Sequence, residues 1–272
     1  MDQLIKGLAI AAIGAAGLYT LSTQGRTSHP GLAQLRGWLY AHRGLHDANL
    51  PENSMAAFRA ALDHGYGIEL DIHLMKDGNL AVIHDCSLKR TAGSDVKITD
   101  LTVRDLENYR LQGTEEKIPL FSQVLELYAG KAPLIIELKS DKNCKELVAA
   151  AVKAMEGYEG PYCMESFDPR VVYELKKQAP QIIRGQLAMD NFKEKNQSVG
   201  AVIKWILTNN AANFLTLPDF VAYRFADRKR LANKLSRKFW GLQGVTWTLK
   251  TPEELETALA EGWLPIFESF IP

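Results

Sequence analysis

The stretch AHRGLHDANLPENSMAAFRAALDHGYGIELDIHLMKDGNLAVIHDCSLKRT, residues 41–91, runs from a strand into a helix and back into a strand. Trp38–His42 and Gly67–His73 are short, largely apolar runs of strand length. Ser54–His64, between them, places Met55, Phe58, Ala61 and Leu62 on one helical face. Strand, helix, strand in this order is the unit from which parallel sheets are built.

The same rhythm continues outward. Further strand candidates lie at Pro133–Leu138, Tyr162–Phe167, Gln181–Leu187, Asp219–Tyr223, Gly244–Thr248 and Leu264–Glu268. Amphipathic helices are expected at Cys144–Gly157, Pro169–Gln178 and Pro252–Gly262, the last two opening on proline. Eight strand candidates separated by helices predict an α/β fold, the (β/α)8 TIM barrel. One segment interrupts the pattern. Leu80–His84 reads as an extra strand, followed by an insertion at residues 86–118 in which Asp100–Tyr109 reads as a short helix.

Leu4–Leu21 is apolar apart from Lys6, Tyr19 and Thr20, and its length is near the lower limit for crossing a bilayer, about 20 residues. The expected organisation is a hydrophobic membrane anchor over 1–24, a turn-rich linker over 25–37 and a barrel domain over 38–272. The anchor implies a membrane-associated protein, and the slight excess of positive charge on its C-terminal flank, Arg26 and Arg36 against Lys6, favours a cytoplasmic catalytic domain. A cleaved signal peptide, giving a secreted protein, and a soluble helix are the alternatives.

Composition narrows the partners. Basic and acidic side chains number 32 each and cancel, which leaves no basic footprint for nucleic acid. An anionic substrate must therefore be held by local groups. Cys86, Cys144 and Cys163 have no metal-ligand spacing and read as reduced thiols. The basic run over 224–237 reads as a solvated helix face, or as a contact for anionic lipid.

In this fold, site residues project from the C-terminal ends of the strands. His42, Glu69, Asp71, Glu137 and Lys139 all lie there, and His84-Asp85 ends the extra strand. Residues two apart on a strand point the same way, so Glu69 and Asp71 can converge on one cation. With Glu137 they supply hard oxygen ligands suited to Mg²⁺ or Ca²⁺. Arg43 and Lys139 can hold phosphate oxygens. His42 and His84 are of the type that serves as base and acid near neutral pH. Glu52 reads as a structural hydrogen-bond partner or a ligand, and His46 stays ambiguous. His73 reads as exposed and His64 as a helix-end residue. Trp247 and Phe167 either fill the core or line a substrate pocket.

The ordered set HRG (42–44), PEN (51–53), ELD (69–71), KDG (76–78), HD (84–85), Arg90-Thr91, Ile118-Pro119, ELK (137–139), SFD (166–168) and WT (247–248) resembles the glycerophosphodiester phosphodiesterases, a family of metal-dependent barrel enzymes. The resemblance covers nearly everything outside the N-terminal segment. It implies that His42 and His84 are the acid/base pair and that Glu69, Asp71 and Glu137 bind the metal. It also implies that the insertion is a small capping subdomain. The expected reaction is hydrolysis of a glycerophosphodiester to glycerol 3-phosphate and an alcohol. The alternative is lysophospholipase D-type cleavage of a lysolipid, with attack by water or by a substrate hydroxyl; a non-catalytic receptor would bind without turnover. Two positions depart from the family pattern: Lys250 stands where asparagine is usual, and Glu268-Ser269-Phe270-Ile271-Pro272 replaces a Thr-Asp-x-Pro ending. Both lie on the seventh and eighth barrel strands, where they are expected to bear on the alcohol side, away from the histidines and the metal.

Overall fold

The computed structural model describes residues 2–27, 29–140, 142–194 and 199–272. Its strands are β1 (Tyr40–His42), β2 (Gly67–Leu74), β3 (Leu80–Val82), β4 (Leu134–Leu138), β5 (Tyr162–Ser166), β6 (Arg184–Ala188), β7 (Phe220–Arg224), β8 (Gln243–Leu249) and β9 (Trp263–Phe267). The helices are α1 (Asp2–Ser22), α2 (Leu32–Leu35), α3 (Met55–Asp63), α4 (Lys89–Ala92), α5 (Phe121–Tyr128) and α6 (Cys144–Ala154). They continue with α7 (Pro169–Gln178), α8 (Ala201–Thr208), α9 (Asn213–Thr216), α10 (Leu231–Lys234) and α11 (Pro252–Ala260).

Among the described residues, eight parallel strands run in the order β1, β2, β4, β5, β6, β7, β8, β9, and β9 pairs back with β1 to close the ring. The chain is thus a (β/α)8 barrel, as its sequence predicts. The extra strand is also present: β3 folds back antiparallel on β2. It opens the insertion, whose own small core gathers Ile83, Leu88, Ile98, Leu106, Leu111 and Ile118. The helix expected over Asp100–Tyr109 is instead two single tight turns, Ile98–Asp100 and Asp105–Asn108. Asp105 draws the Thr102 amide and hydroxyl to itself at 2.8 and 2.7 Å, a local bond that competes with a continuous helix.

Strand alternation sorts the residues. Ile68, Leu70 and Ile72 of β2, with Leu134, Ile136 and Leu138 of β4, face outward into the main core under the helices. The opposite positions face the barrel axis. Low in the barrel these are Tyr40, Ile135, Cys163, Phe220, Val245 and Leu264. Higher up, the same faces carry His42, Glu69, Asp71, Glu137 and Glu165. Gly185 of β6 has a particular role: a Cβ there would lie 2.1 Å from the Phe220 ring, so only glycine admits that ring to the axis.

The described residues of 25–37, a segment expected as a linker, are packed on the barrel. Leu32 and Leu35 of α2 are buried in the apolar floor cluster, and the Tyr40 hydroxyl donates to Leu35 O at 2.7 Å. Arg26 donates from both Nε and Nη2 to the carboxylate of Asp219, each at 2.6 Å, and also reaches the carbonyls of Pro180 and Ile182. Asp219 is fully buried. Arg26→Ala leaves it with the Arg184 amide but no hydrogen-bonded counter-charge. We expect a loss of about 2–4 kcal/mol, read as a lowered midpoint in chemical denaturation.

The N-terminal expectation changes. Among the described residues no helix is long and apolar enough to cross a membrane, so a membrane-spanning anchor over 1–24 is not supported. The end of α1 is tied to the barrel by Tyr19 Oη to Asn209 Oδ1 at 3.0 Å and by Trp240 Nε1 to Thr20 O at 2.8 Å. The basic run over 224–237 is likewise not a free helix face. Arg224 pairs with Glu194 and Asp227, Arg228 with Glu261, and Arg230 with Asp190.

Candidate active site

Register brings the polar residues to one mouth. His42 stands opposite Glu69, Asp71 opposite Glu137, and Glu137 opposite Glu165 across successive strand pairs. After His42 the chain must turn sharply. Arg43 does so at φ 55° and Gly44 at φ 83°, and a Cβ on Gly44 would sit 2.9 Å from the Ala57 backbone. The HRG motif is therefore a strand end followed by a left-handed turn against α3. Asn53, also left-handed at φ 55°, donates from Nδ2 to Asp71 Oδ2 at 2.8 Å.

Glu69, Asp71 and Glu137 each offer an oxygen within 4.8 Å of the others'. All three are buried. Burial, together with the charges of Asp71 and Glu137, pushes Glu69 well above the ordinary glutamate value. Burial lifts Glu137 to about 7 against the pull of Lys139. Burial also disfavours the charge on Asp71, but Lys139, His84 and Arg43 outweigh it and hold this carboxyl well below its usual value. Lys139 Nζ lies 2.9 Å from Asp71 Oδ1 and 2.7 Å from Glu137 Oε1. Next to them Glu165 is buried, with Oε2 lacking a hydrogen-bond partner. Clustered carboxylates, two of them driven toward protonation, form the donor set of a hard divalent cation, and the residues present fit one.

The two histidines flank this cluster. His42 Nδ1 lies 2.6 Å from Glu268 Oε2, and its Nε2 lies 3.8 Å from Glu69 Oε2. His84 Nδ1 lies 2.6 Å from Asp85 Oδ1. An ionised carboxylate only accepts, so each Nδ1 carries its hydrogen and each Nε2 is left to exchange a proton. Burial lowers both imidazoles, His84 to about 4. Arg90, from the insertion, bonds both Asp85 and Glu52, and Glu52 also accepts from Arg43 Nη1 at 2.9 Å. Glu52 thus stands as a hydrogen-bond partner of two arginines.

A cavity of about 440 Å³ opens beside the cluster, lined by His84, Glu137, Lys139, Phe167 and Arg170 among others. His73, expected exposed, is buried on the inner face of β2 and lines it too, with Nε2 3.1 Å from His84 O. Trp247 meets Phe167 edge-on at 5.5 Å, and its indole Nε1 donates to Ala222 O at 3.2 Å. The sequence-named His42, Arg43, Glu69, Asp71, His84, Glu137 and Lys139 are therefore brought together at one mouth. Glu165 and Glu268 are additions that the sequence reading had not placed there. Glu268 is not remote from the histidines but in contact with one.

A model of the glycerophosphoryl diester phosphodiesterase family matches residues 42–270. A glycerophosphodiester phosphodiesterase of Caldanaerobacter subterraneus subsp. tengcongensis is 35% identical over 159 residues, 54% of this chain and 65% of that protein. A lysophospholipase D of Rattus norvegicus is 36% identical over 116 residues, 38% of this chain and 36% of its own length. The matched region thus spans less than two thirds of either relative. Among solved structures, an Oleispira antarctica phosphodiesterase in complex with the product sn-glycerol-3-phosphate shares the fold, with a TM-score of 0.71 at 20% identity. That superposition covers 89% of this chain and 95% of the other.

Proposed function

The chain belongs to the glycerophosphoryl diester phosphodiesterase family, and from that premise we propose that it hydrolyses glycerophosphodiesters to glycerol 3-phosphate and an alcohol. The observation that carries the reading is a buried three-carboxylate cluster flanked by two carboxylate-held imidazoles. Glu69, Asp71 and Glu137 would hold a hard divalent cation, Mg²⁺ or Ca²⁺. When bound, such an ion neutralises phosphoryl charge and polarises the phosphorus–oxygen bonds.

The chain's own groups supply the remainder. Lys139 and Arg43 hold phosphate oxygens by charge-assisted hydrogen bonds. One imidazole, His42 or His84, takes a proton from the attacking water at Nε2. The other, entering protonated, returns one to the departing alcohol oxygen as the phosphorus–oxygen bond breaks. Asp85 and Glu268 hold the two Nδ1 hydrogens, which keeps both Nε2 atoms on the reacting side. Trp247 and Phe167 line the alcohol side and exclude water.

The test is release of glycerol 3-phosphate from glycerophosphocholine by purified protein. Chelation is expected to lower the rate at least about 100-fold, with recovery on adding Mg²⁺ or Ca²⁺. Turnover indifferent to chelator would remove the metal from the scheme. Turnover of lysophosphatidylcholine alone would favour the lysolipid reading, for which the similarity to the rat lysophospholipase D is the supporting observation.

A further inference from the structure

The residues that hold His42 are themselves held. β8 and β9 pair with Leu249 opposite Phe267, and the Glu268 amide donates to Leu249 O at 2.9 Å. This register sets the residues that follow, Lys250 and Glu268, side by side. Lys250 Nζ lies 2.9 Å from Glu268 Oε1, while Glu268 Oε2 lies 2.6 Å from His42 Nδ1. Oε1 thus has Lys250 as its partner, while Oε2 faces His42 and, at 3.8 Å, His46 Nε2. The Lys250 backbone is fixed in turn, its amide donating to Glu254 Oε2 at 2.8 Å in the first turn of α11. These are also the two positions at which the sequence departs from the family pattern, and the fold makes them neighbours.

We propose that Lys250 and Glu268 act as one positioning unit for His42. Glu268 fixes the tautomer and direction of the imidazole, and Lys250 fixes Glu268. The physical need follows from side-chain length. A glutamate has three torsions, so a single contact at its tip leaves the carboxylate free to leave the imidazole. A second anchor on the other oxygen removes that freedom. The Glu268 side chain is only 14% exposed, whereas that of Lys250 is 63% exposed. An ion pair so open to water contributes little to folding stability. Its effect is therefore expected in turnover, acting through His42, with little change in stability. Neither residue touches the reacting atoms.

The inference rests on the reading of His42 as an acid/base group, and the experiment separates the two. Wild type, Lys250→Met, Glu268→Gln and the double variant are compared in kcat and KM on glycerophosphocholine. The His42 ring hydrogens and nitrogens are followed by NMR in the same proteins. Glu268→Gln is expected to lower kcat about 10–100-fold with KM within about twofold. Lys250→Met alone should lower kcat about 3–10-fold, and should lower it no further in the Glu268→Gln background. The Nδ1 hydrogen of His42 should shift in both single variants, whatever the turnover.

Glu268→Asp supplies a second readout should Glu268→Gln fold poorly. One methylene shorter, it cannot span both partners, so it should be slower than wild type and insensitive to Lys250→Met. Additive losses in the double variant, or Lys250→Met with wild-type kcat and an unmoved Nδ1 resonance, would overturn the proposal. His42→Ala with full turnover would instead remove the acid/base reading. An inactive His42→Ala beside a fully active Glu268→Gln would remove this inference alone.

Discussion

His42→Ala protein is expected to hydrolyse glycerophosphocholine about 10³–10⁴-fold more slowly than wild type, with KM little changed. The imidazole binds no ground-state group tightly; its part is to carry a proton while the phosphorus–oxygen bonds change. His84→Ala should fall by a similar factor, because it serves the opposite oxygen. The two losses should not multiply. Once either proton transfer is gone, the other has little left to assist, so the double variant should resemble the slower single one. Steady-state kinetics on the three proteins decides this, and either single variant at wild-type speed would sink the pairing of roles. An alcohol with a low pKa offers a finer check. Such a leaving group needs no protonation, so it should rescue only the variant lacking the acid, and it would then say which histidine is which.

The second large effect has two opposite signs. Glu69→Gln is expected to lower kcat by about 10³-fold or more, since it removes a hard ligand from a three-carboxylate set. In chelator, however, the same protein should melt higher than wild type by a few degrees, about what 1 kcal/mol gives in a domain of this size. The sign follows from the direction of the carboxyl's shift. Burial and the charges of Asp71 and Glu137 raise Glu69 in the folded protein, so the folded state holds a proton that the unfolded chain has released. Metal-free stability therefore falls as pH rises above the ordinary glutamate value, and it continues to fall through about 7, where Glu137 titrates. A neutral glutamine escapes the part of this loss that comes from Glu69. Thermal melts with and without divalent ion measure both halves, and a Glu69→Gln protein less stable than wild type in chelator would contradict the electrostatic account.

Much of the barrel is legible in the sequence because burial imposes period. Most barrel strands are short apolar runs, and each expected strand overlaps an observed one. The ligands on β2 are legible for the same reason, since Glu69 and Asp71 interrupt such a run at alternate positions. Glu165 escapes notice although it sits inward on β5, because a single carboxylate in a strand signals nothing until its neighbour Glu137 is known. Glu268 escapes for a different reason. Its partner His42 is 226 positions away, and only closure of the ring between β9 and β1 makes the two adjacent. Tertiary closure also explains residues 25–37: their polar, turn-rich composition gives no sign that Leu32 and Leu35 fill the barrel floor.

The floor bears on how the chain reaches its native form. Arg26 meets Asp219 across 193 positions, and Ser236 Oγ reaches Thr23 O across 213. On a ribosome the N-terminal partners emerge long before the groups that receive them. Until those arrive, Leu32 and Leu35 have no floor to fill, and the half-made ring shows open strand edges to its surroundings. Contacts this distant in sequence form slowly. Loosening Arg26 should therefore delay productive folding as well as weaken the finished barrel, and the cell would feel it first as a lower yield of soluble protein.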